Sequence, residues 1–161
     1  MKNFEIVGMN CIGNTKLLEE PRTRLGVFAS RSQDAAIDII REQWATAKGR
    51  EHKCIASTFH SKAEIEILYF VLKYGGSAIW FLGCSLPKEL PKFAQKYVKR
   101  GKLLIISCFH LEHHSIHTAR YCCHLVDMVS SYLVFFSRKE TGLLTPIYER
   151  AKERGKWIEN F

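Results

Sequence analysis

Small hydroxyl and thiol residues recur at five places in this chain, each directly behind a short apolar run: Ala29-Ser30-Arg31, Ser57-Thr58, Gly83-Cys84-Ser85, Ser107-Cys108 and Ser137-Arg138. Residues of this size offer side-chain O–H and backbone N–H donors without blocking a ligand's approach. Where a helix begins just behind them, its macrodipole adds positive potential. The chemistry they suit is the holding of an anion, phosphate above all. Arg31 and Lys139 bring formal charge to two of these ends, and Lys88 follows a third. Serines also cap helices when nothing binds, so the recurrence carries the expectation more than any one residue. Ser30, Arg31, Ser57, Thr58, Gly83, Cys84, Ser85, Lys88, Ser107 and Lys139 are accordingly the candidate phosphate contacts.

A second cluster lies at 108–124, which holds five of the seven histidines and three of the six cysteines. Thiolate and imidazole are zinc ligands, so His110, His113, His114 and His117 are weak metal candidates. The spacing contains no Cys-x-x-Cys pair and no finger pattern. A polar loop rich in histidine is the simpler reading, and no metal or other cofactor is expected. Cys84, at a strand end, reads as a small buried thiol in preference to a nucleophile. The chain has no Walker A pattern, no Gly-x-Gly-x-x-Gly and no Gly-x-Ser-x-Gly. A binding protein is expected, not an enzyme.

The elements that must position these residues alternate. Apolar runs at 24–29, 54–56, 78–82, 103–106 and 132–136 are too short for helices and have no polar alternate face, which marks strands buried on both sides. Between them lie helical patterns. Ser32 is a plausible N-cap with Asp34 in the first turn, and Ala36, Ile37, Ile40, Trp44 and Ala47 then recur until Gly49. Ser61-Lys62-Ala63-Glu64 is a capping box for a largely buried helix at 65–73. Leu90, Phe93, Ala94, Tyr97 and Val98 form one apolar face closed by Gly101. Segment 116–128 has helical character, and Thr145-Pro146 reads as an N-cap with proline at the first helical position before a helix at 147–154. A last strand is placed at 156–159. Residues 1–23 read as a lead-in packed on the rest, with a possible short strand at 4–7 and a turn at Gly13-Asn14. The alternation predicts one domain over 1–161, an α/β fold with a doubly wound, mostly parallel sheet in a Rossmann-like three-layer α/β/α arrangement.

No apolar run approaches the roughly 20 residues of a membrane span, and Met1-Lys2-Asn3-Phe4-Glu5 lacks signal-peptide character. A cytoplasmic protein with reduced thiols is expected, with no membrane partner. The net charge of +8 permits a polyanionic partner without proving one.

The residues together resemble the Rossmann-like core of the DprA/Smf family of DNA-processing proteins, from about Gly13 to the C-terminus. The family's Gly-Gly, strand, Leu-Gly-Cys-Gly-Leu-Asp and Tyr-Pro is similar to Gly75-Gly76, then Ile79-Trp80-Phe81-Leu82-Gly83-Cys84-Ser85-Leu86, then Leu90-Pro91. Ala29-Ser30-Arg31 falls on its Gly-Ser-Arg turn, and Ile55-Ala56-Ser57 with Glu64 on its Ser-Gly-Leu-Ala-Arg-Gly-Ile-Asp segment. The stretch 101–107 resembles Gly-x-Leu-x-Ser-Glu, and Thr141-Gly142 with Thr145 resembles Ser-Gly-x-x-x-Thr. Ala29, Thr58 and Lys62 depart from family glycines, Cys108 from a glutamate, and Cys122-Cys123-His124 from Arg-Asn-Arg. The resemblance adds His124, Thr141 and Gly142 to the candidate site. It implies a recombination-mediator domain that binds single-stranded DNA through phosphate contacts at the strand ends, a homodimer, and a RecA-type recombinase as partner. The alternative is a module of a related Rossmann-like family that binds one nucleotide or nucleotide derivative.

Overall fold

A computed structural model describes residues 9–19, 22–30, 34–140 and 142–161. The chain runs β1 (Asn10–Gly13), a 3-10 turn (Thr15–Leu18), β2 (Arg24–Ala29), α1 (Ala35–Arg50), β3 (Cys54–Ser57), α2 (Lys62–Lys73) and β4 (Ser77–Leu82). It continues with α3 (Lys92–Lys99), β5 (Leu103–Ser107), α4 (Ile116–Val129), β6 (Tyr132–Phe136), α5 (Thr145–Glu153) and β7 (Ile158–Asn160). The seven strands form one sheet in the order β1-β5-β4-β3-β2-β6-β7. Only β1 is antiparallel, with Asn10 opposite Ser107 and Gly13 opposite Leu104. Helices cover both faces, so the expected doubly wound, three-layer architecture is the observed one.

The central strands are apolar because neither face meets solvent. Every residue of β2 and β5 is buried. On one face α1, α2 and α3 supply Trp44, Ile67, Leu68, Ala94 and Tyr97 to the core. On the other, the 3-10 turn, α4 and α5 supply Leu17, Cys122, Val126, Ile147 and Ala151. Removing a fully buried side chain such as Ile79 to alanine from so closed a layer costs about 2–5 kcal/mol.

Two buried charges brace the second face. Arg24 is 2% exposed; its guanidinium donates to the Val129 carbonyl at 2.7 Å and to the Leu17 carbonyl at 3.1 Å. It is a tie between the 3-10 turn and the end of α4. Asp127, equally buried, accepts from Arg154 and from Lys156 Nζ at 2.7 Å, which fixes the ends of α4 and α5 to each other.

Several local expectations are corrected. The edge strand lies at Asn10–Gly13, inside what the sequence reads as lead-in and turn, while the strand expected at 4–7 falls outside the described residues. Asp34, not Ser32, caps α1, accepting from the Ala36 amide at 2.9 Å. Thr145 is the first residue of α5 instead of its cap, and its hydroxyl donates back to the Glu140 carbonyl at 2.9 Å. The expectation of a largely buried α2 holds, with Tyr69 46% exposed on its outer side.

Candidate functional site

The strand order creates one topological switch point. From β2, three successive crossovers carry the chain one way to β3, β4 and β5. The crossover through α4 then returns it to β6, on the other side of β2. In open α/β sheets the crevice beyond the strand ends at such a point is the place for a ligand. A cavity of about 330 Å³ lies there, walled by the ends of β2, β3 and β4, the first turns of α2 and α4, and the β6–α5 loop.

The floor of the cavity is a staple between β2 and α2. The Ala29 amide donates to Glu64 Oε2 at 3.1 Å, and the Ser61 hydroxyl donates to the Ala29 carbonyl at 2.8 Å. Glu64 Oε1 accepts from the amides of His60 and Ser61 at 2.9 and 3.2 Å, while the Ser61 hydroxyl accepts from the Glu64 amide. Burial pushes the Glu64 carboxyl up, opposed by those backbone donors. The capping box foreseen in the sequence therefore also holds the cavity floor.

Between β3 and α2 the chain takes a left-handed turn at Phe59, with φ +44°. Left-handed backbone is disfavoured by about 1–2 kcal/mol for a residue with a Cβ. It lets Thr58 and His60 line the cavity while Phe59 is buried edge-on against Trp80, with centroids 5.7 Å apart. Gly83, at the end of β4, lets α4 come close: a Cβ there would stand 2.7 Å from His114 Nδ1 and 2.9 Å from Thr118 Oγ1. The His114 ring lies 5.0 Å from that of His60, and its Nε2 is 3.4 Å from Cys84 Sγ. Burial, then the charge of His60, pushes the His114 imidazole below its ordinary value.

The α4 wall is Ala119, Cys122 and Cys123, three and four apart on one face. Burial holds both thiols protonated, pushed up to about 12. Leu143 and Leu144 close the opposite side. Among the described lining residues Lys139 is the only lysine or arginine. A space with apolar walls, a hydroxyl rim and one ammonium suits a flat apolar or aromatic group that carries an anion at its edge.

Of the expected contacts, Ser30, Thr58, Gly83, Lys139 and Gly142 come together around the cavity. Others do not line it. Ser57 is buried, its hydroxyl accepting from the Phe59 amide. Ser107 donates its hydroxyl to the carbonyls of Cys84 and Phe109 at 2.6 and 3.0 Å. Cys84 stands half-buried beside His114, with burial raising its thiol above the ordinary value. Ser85 is tied to the Leu111 and Phe109 carbonyls, and Lys88 is exposed on the connection to α3. His124 sits farther along α4, within 2.9 Å of Arg150, and burial followed by that guanidinium lowers its affinity for a proton. Arg31 and Thr141 lie outside the described residues. His110, His113 and His117 are exposed and His114 alone of the four reaches the cavity. Among the described residues no three His, Cys, Asp or Glu side chains gather as a metal set.

The anion cradle expected at the helix starts is also altered. Asp34 caps α1, the Ser61–Glu64 box caps α2, and Ser115 with Thr118 forms a second box on α4. First-turn donors that would have met a phosphate are met by the chain's own side chains. Sequence reading missed His60, Ala119, Leu143 and Leu144 as wall residues; the i, i+3, i+4 spacing of Ala119, Cys122 and Cys123 was the available signal.

The fold is similar to solved structures of DNA processing protein A. The Helicobacter pylori protein, described for its single-stranded DNA binding mode, is 17% identical with a TM-score of 0.75, over 94% of this chain and 70% of that one. The Streptococcus pneumoniae protein, DprA, is 17% identical with a TM-score of 0.76, over 94% of this chain and 54% of that one, so this chain spans about half its length. The Moco carrier protein of Chlamydomonas shares 10% identity with a TM-score of 0.53, over 88% of this chain and 76% of that one. At these identities the likeness is one of fold, and the fold is DprA-like. No protein-family model and no curated protein sequence matches the chain.

Proposed function

We propose that this chain, on its DprA-like fold, binds single-stranded DNA at the C-terminal edge of the sheet and does no chemistry on it. One unstacked base enters the cavity against Ala119, Cys122 and Leu144, and its phosphate lies at the rim beside Ser30, Thr58 and Lys139. The observation that carries this reading is the apolar cavity of about 330 Å³ at the switch point with a single ammonium on its edge. The binding of single strands by the Helicobacter protein of similar fold supports it. Base burial against apolar walls contributes about 1–3 kcal/mol, and the phosphate contact adds a salt-dependent part.

Fluorescence anisotropy with a labelled oligonucleotide tests it. Ala119→Phe fills the cavity and is expected to weaken binding about tenfold or more, the equivalent of one lost base contact. Lys139→Gln should reduce the slope of log K against log salt by about 0.7, one phosphate on a single strand. If both variants fold and bind as the parent does, the cavity is not the site.

A second reading, a module for one nucleotide or nucleotide derivative, is favoured by the same cavity, which has one cation and room for one base-sized group. It predicts that a mononucleotide alone raises the melting temperature as much as an oligonucleotide does.

A further inference from the structure

The strongest charge feature of the molecule lies outside the cavity. Between 88 and 102 the chain carries Lys88, Lys92, Lys96, Lys99, Arg100 and Lys102 against one carboxylate, Glu89, which is +5 of the net +8. All six cations are exposed. Lys92, Lys96 and Lys99 are four and three apart, so they form one stripe on the outer face of α3, whose other face is sealed by Ala94 and Tyr97. None of the six forms an ion pair among the described residues. Lys96 and Arg100 only lean over the Tyr97 ring, at 5.3 and 5.8 Å. Elsewhere Arg41 pairs with Asp38 and Glu66, Lys48 with Glu51, and Arg154 with Asp127.

This arrangement does not serve the helix. Like charges four apart destabilise it. Lys92 opens α3 where the macrodipole favours an acid, and the first turn holds none. The stripe is also connected to the cavity. Gly83 walls the cavity, and the loop 83–91 runs from it past Lys88 directly into Lys92. That loop is held in place by the Ser85 amide on the Leu111 carbonyl at 2.7 Å and the Ser85 hydroxyl on the Phe109 carbonyl at 3.3 Å.

We infer that the outer face of α3 is a second contact surface, for the phosphodiester backbone of a single strand, met only by the part of the strand that extends beyond the cavity. The occupant follows from charge complementarity: a row of unpaired ammonium groups with no apolar patch and no base-reading side chain recognises phosphates without regard to sequence. The inference rests on the reading of the cavity as a single-strand site.

The test uses the full chain and two strands, one of about 4 and one of about 16 nucleotides, which bracket the usual site sizes. Replacing Lys92, Lys96 and Lys99 together by Gln should weaken the long strand about tenfold or more and reduce its salt slope by about 2, three phosphates at ~0.7 each. The short strand should be unaffected. Replacing the same three by Arg should restore the long strand, which separates charge from shape. Equal losses on both strands, or no loss on the long one, overturn the inference. So does a loss confined to vesicles of anionic phospholipid. If Ala119→Phe abolishes neither strand while the α3 triple variant still weakens the long one, the cavity reading fails and the α3 surface stands. If the parent binds neither strand, both fail.

Discussion

The cavity rim and α3 treat charge in opposite ways. Around the cavity, Glu64 in the floor is already spent on three backbone amides, Asp34 and the Ser115–Thr118 box close the neighbouring helix starts, and one lysine lines the ligand space. On α3 the start has no side-chain cap, the first turn has no acid, and the six cations in and beside the helix form no ion pair among the described residues. The contrast separates two jobs that composition merges into a single net charge. Apolar walls select shape and give little salt dependence, whereas an unpaired basic stripe gives salt dependence without selecting shape.

The largest expected effect comes from Glu64→Ala. It leaves one buried and two part-buried amides without their acceptor, and the expected loss is about 3 kcal/mol, or roughly 10 °C in melting temperature for a chain of this size. If the rim is self-capped, added sulfate or phosphate should recover part of that loss in the variant and none in the parent, as followed by thermal unfolding. A variant as stable as the parent would mean the rim donors are free, and the contrast with α3 would fall. By the same measurement, neutralising the α3 lysines should leave stability unchanged or slightly raised, since only repulsion is removed.

A smaller effect is expected from pH. His114 titrates below its ordinary 6.5 in the fold, through burial and the charge of His60. The unfolded chain therefore takes up its proton first. Stability from a neutral His114 is complete above pH 6.5 and is lost as the pH falls below that value. His114→Gln should abolish this share, so the gap in melting temperature between parent and variant narrows on acidification. The ring is largely exposed and the change will be slight. A pH-dependent affinity that survives His114→Gln would have to arise elsewhere.

Much of the fold was legible because burial on both faces writes itself as unbroken apolar runs. Leu103 to Ile106 and Tyr132 to Phe136 could be nothing else, and Ser61–Glu64 announced its helix. Strand order was not legible. That β6 lies beside β2 depends on where the α4 crossover lands, a long-range choice with no local signature, and the switch point follows from it. β1 is four residues, Asn-Cys-Ile-Gly, too short to show a period. At the strand ends, residue type was readable but direction was not: Ser30 reaches the cavity, whereas Ser57 and Ser107 turn their hydroxyls to their own loops. The tie that Arg24 makes to the Val129 and Leu17 carbonyls left no trace in the sequence.

The left-handed turn at Phe59 ties recognition to the interior of the protein. A glycine would hold that backbone at lower cost, but only an aromatic ring can be gripped by Trp80. The indole, which belongs to β4 and does not line the cavity, therefore acts as a latch on the angle at which Thr58 and His60 are presented. Trp80→Leu should register as faster release of bound DNA in stopped-flow measurements as well as lower stability. A variant with reduced stability and an unchanged off-rate would show that the turn holds its shape unaided.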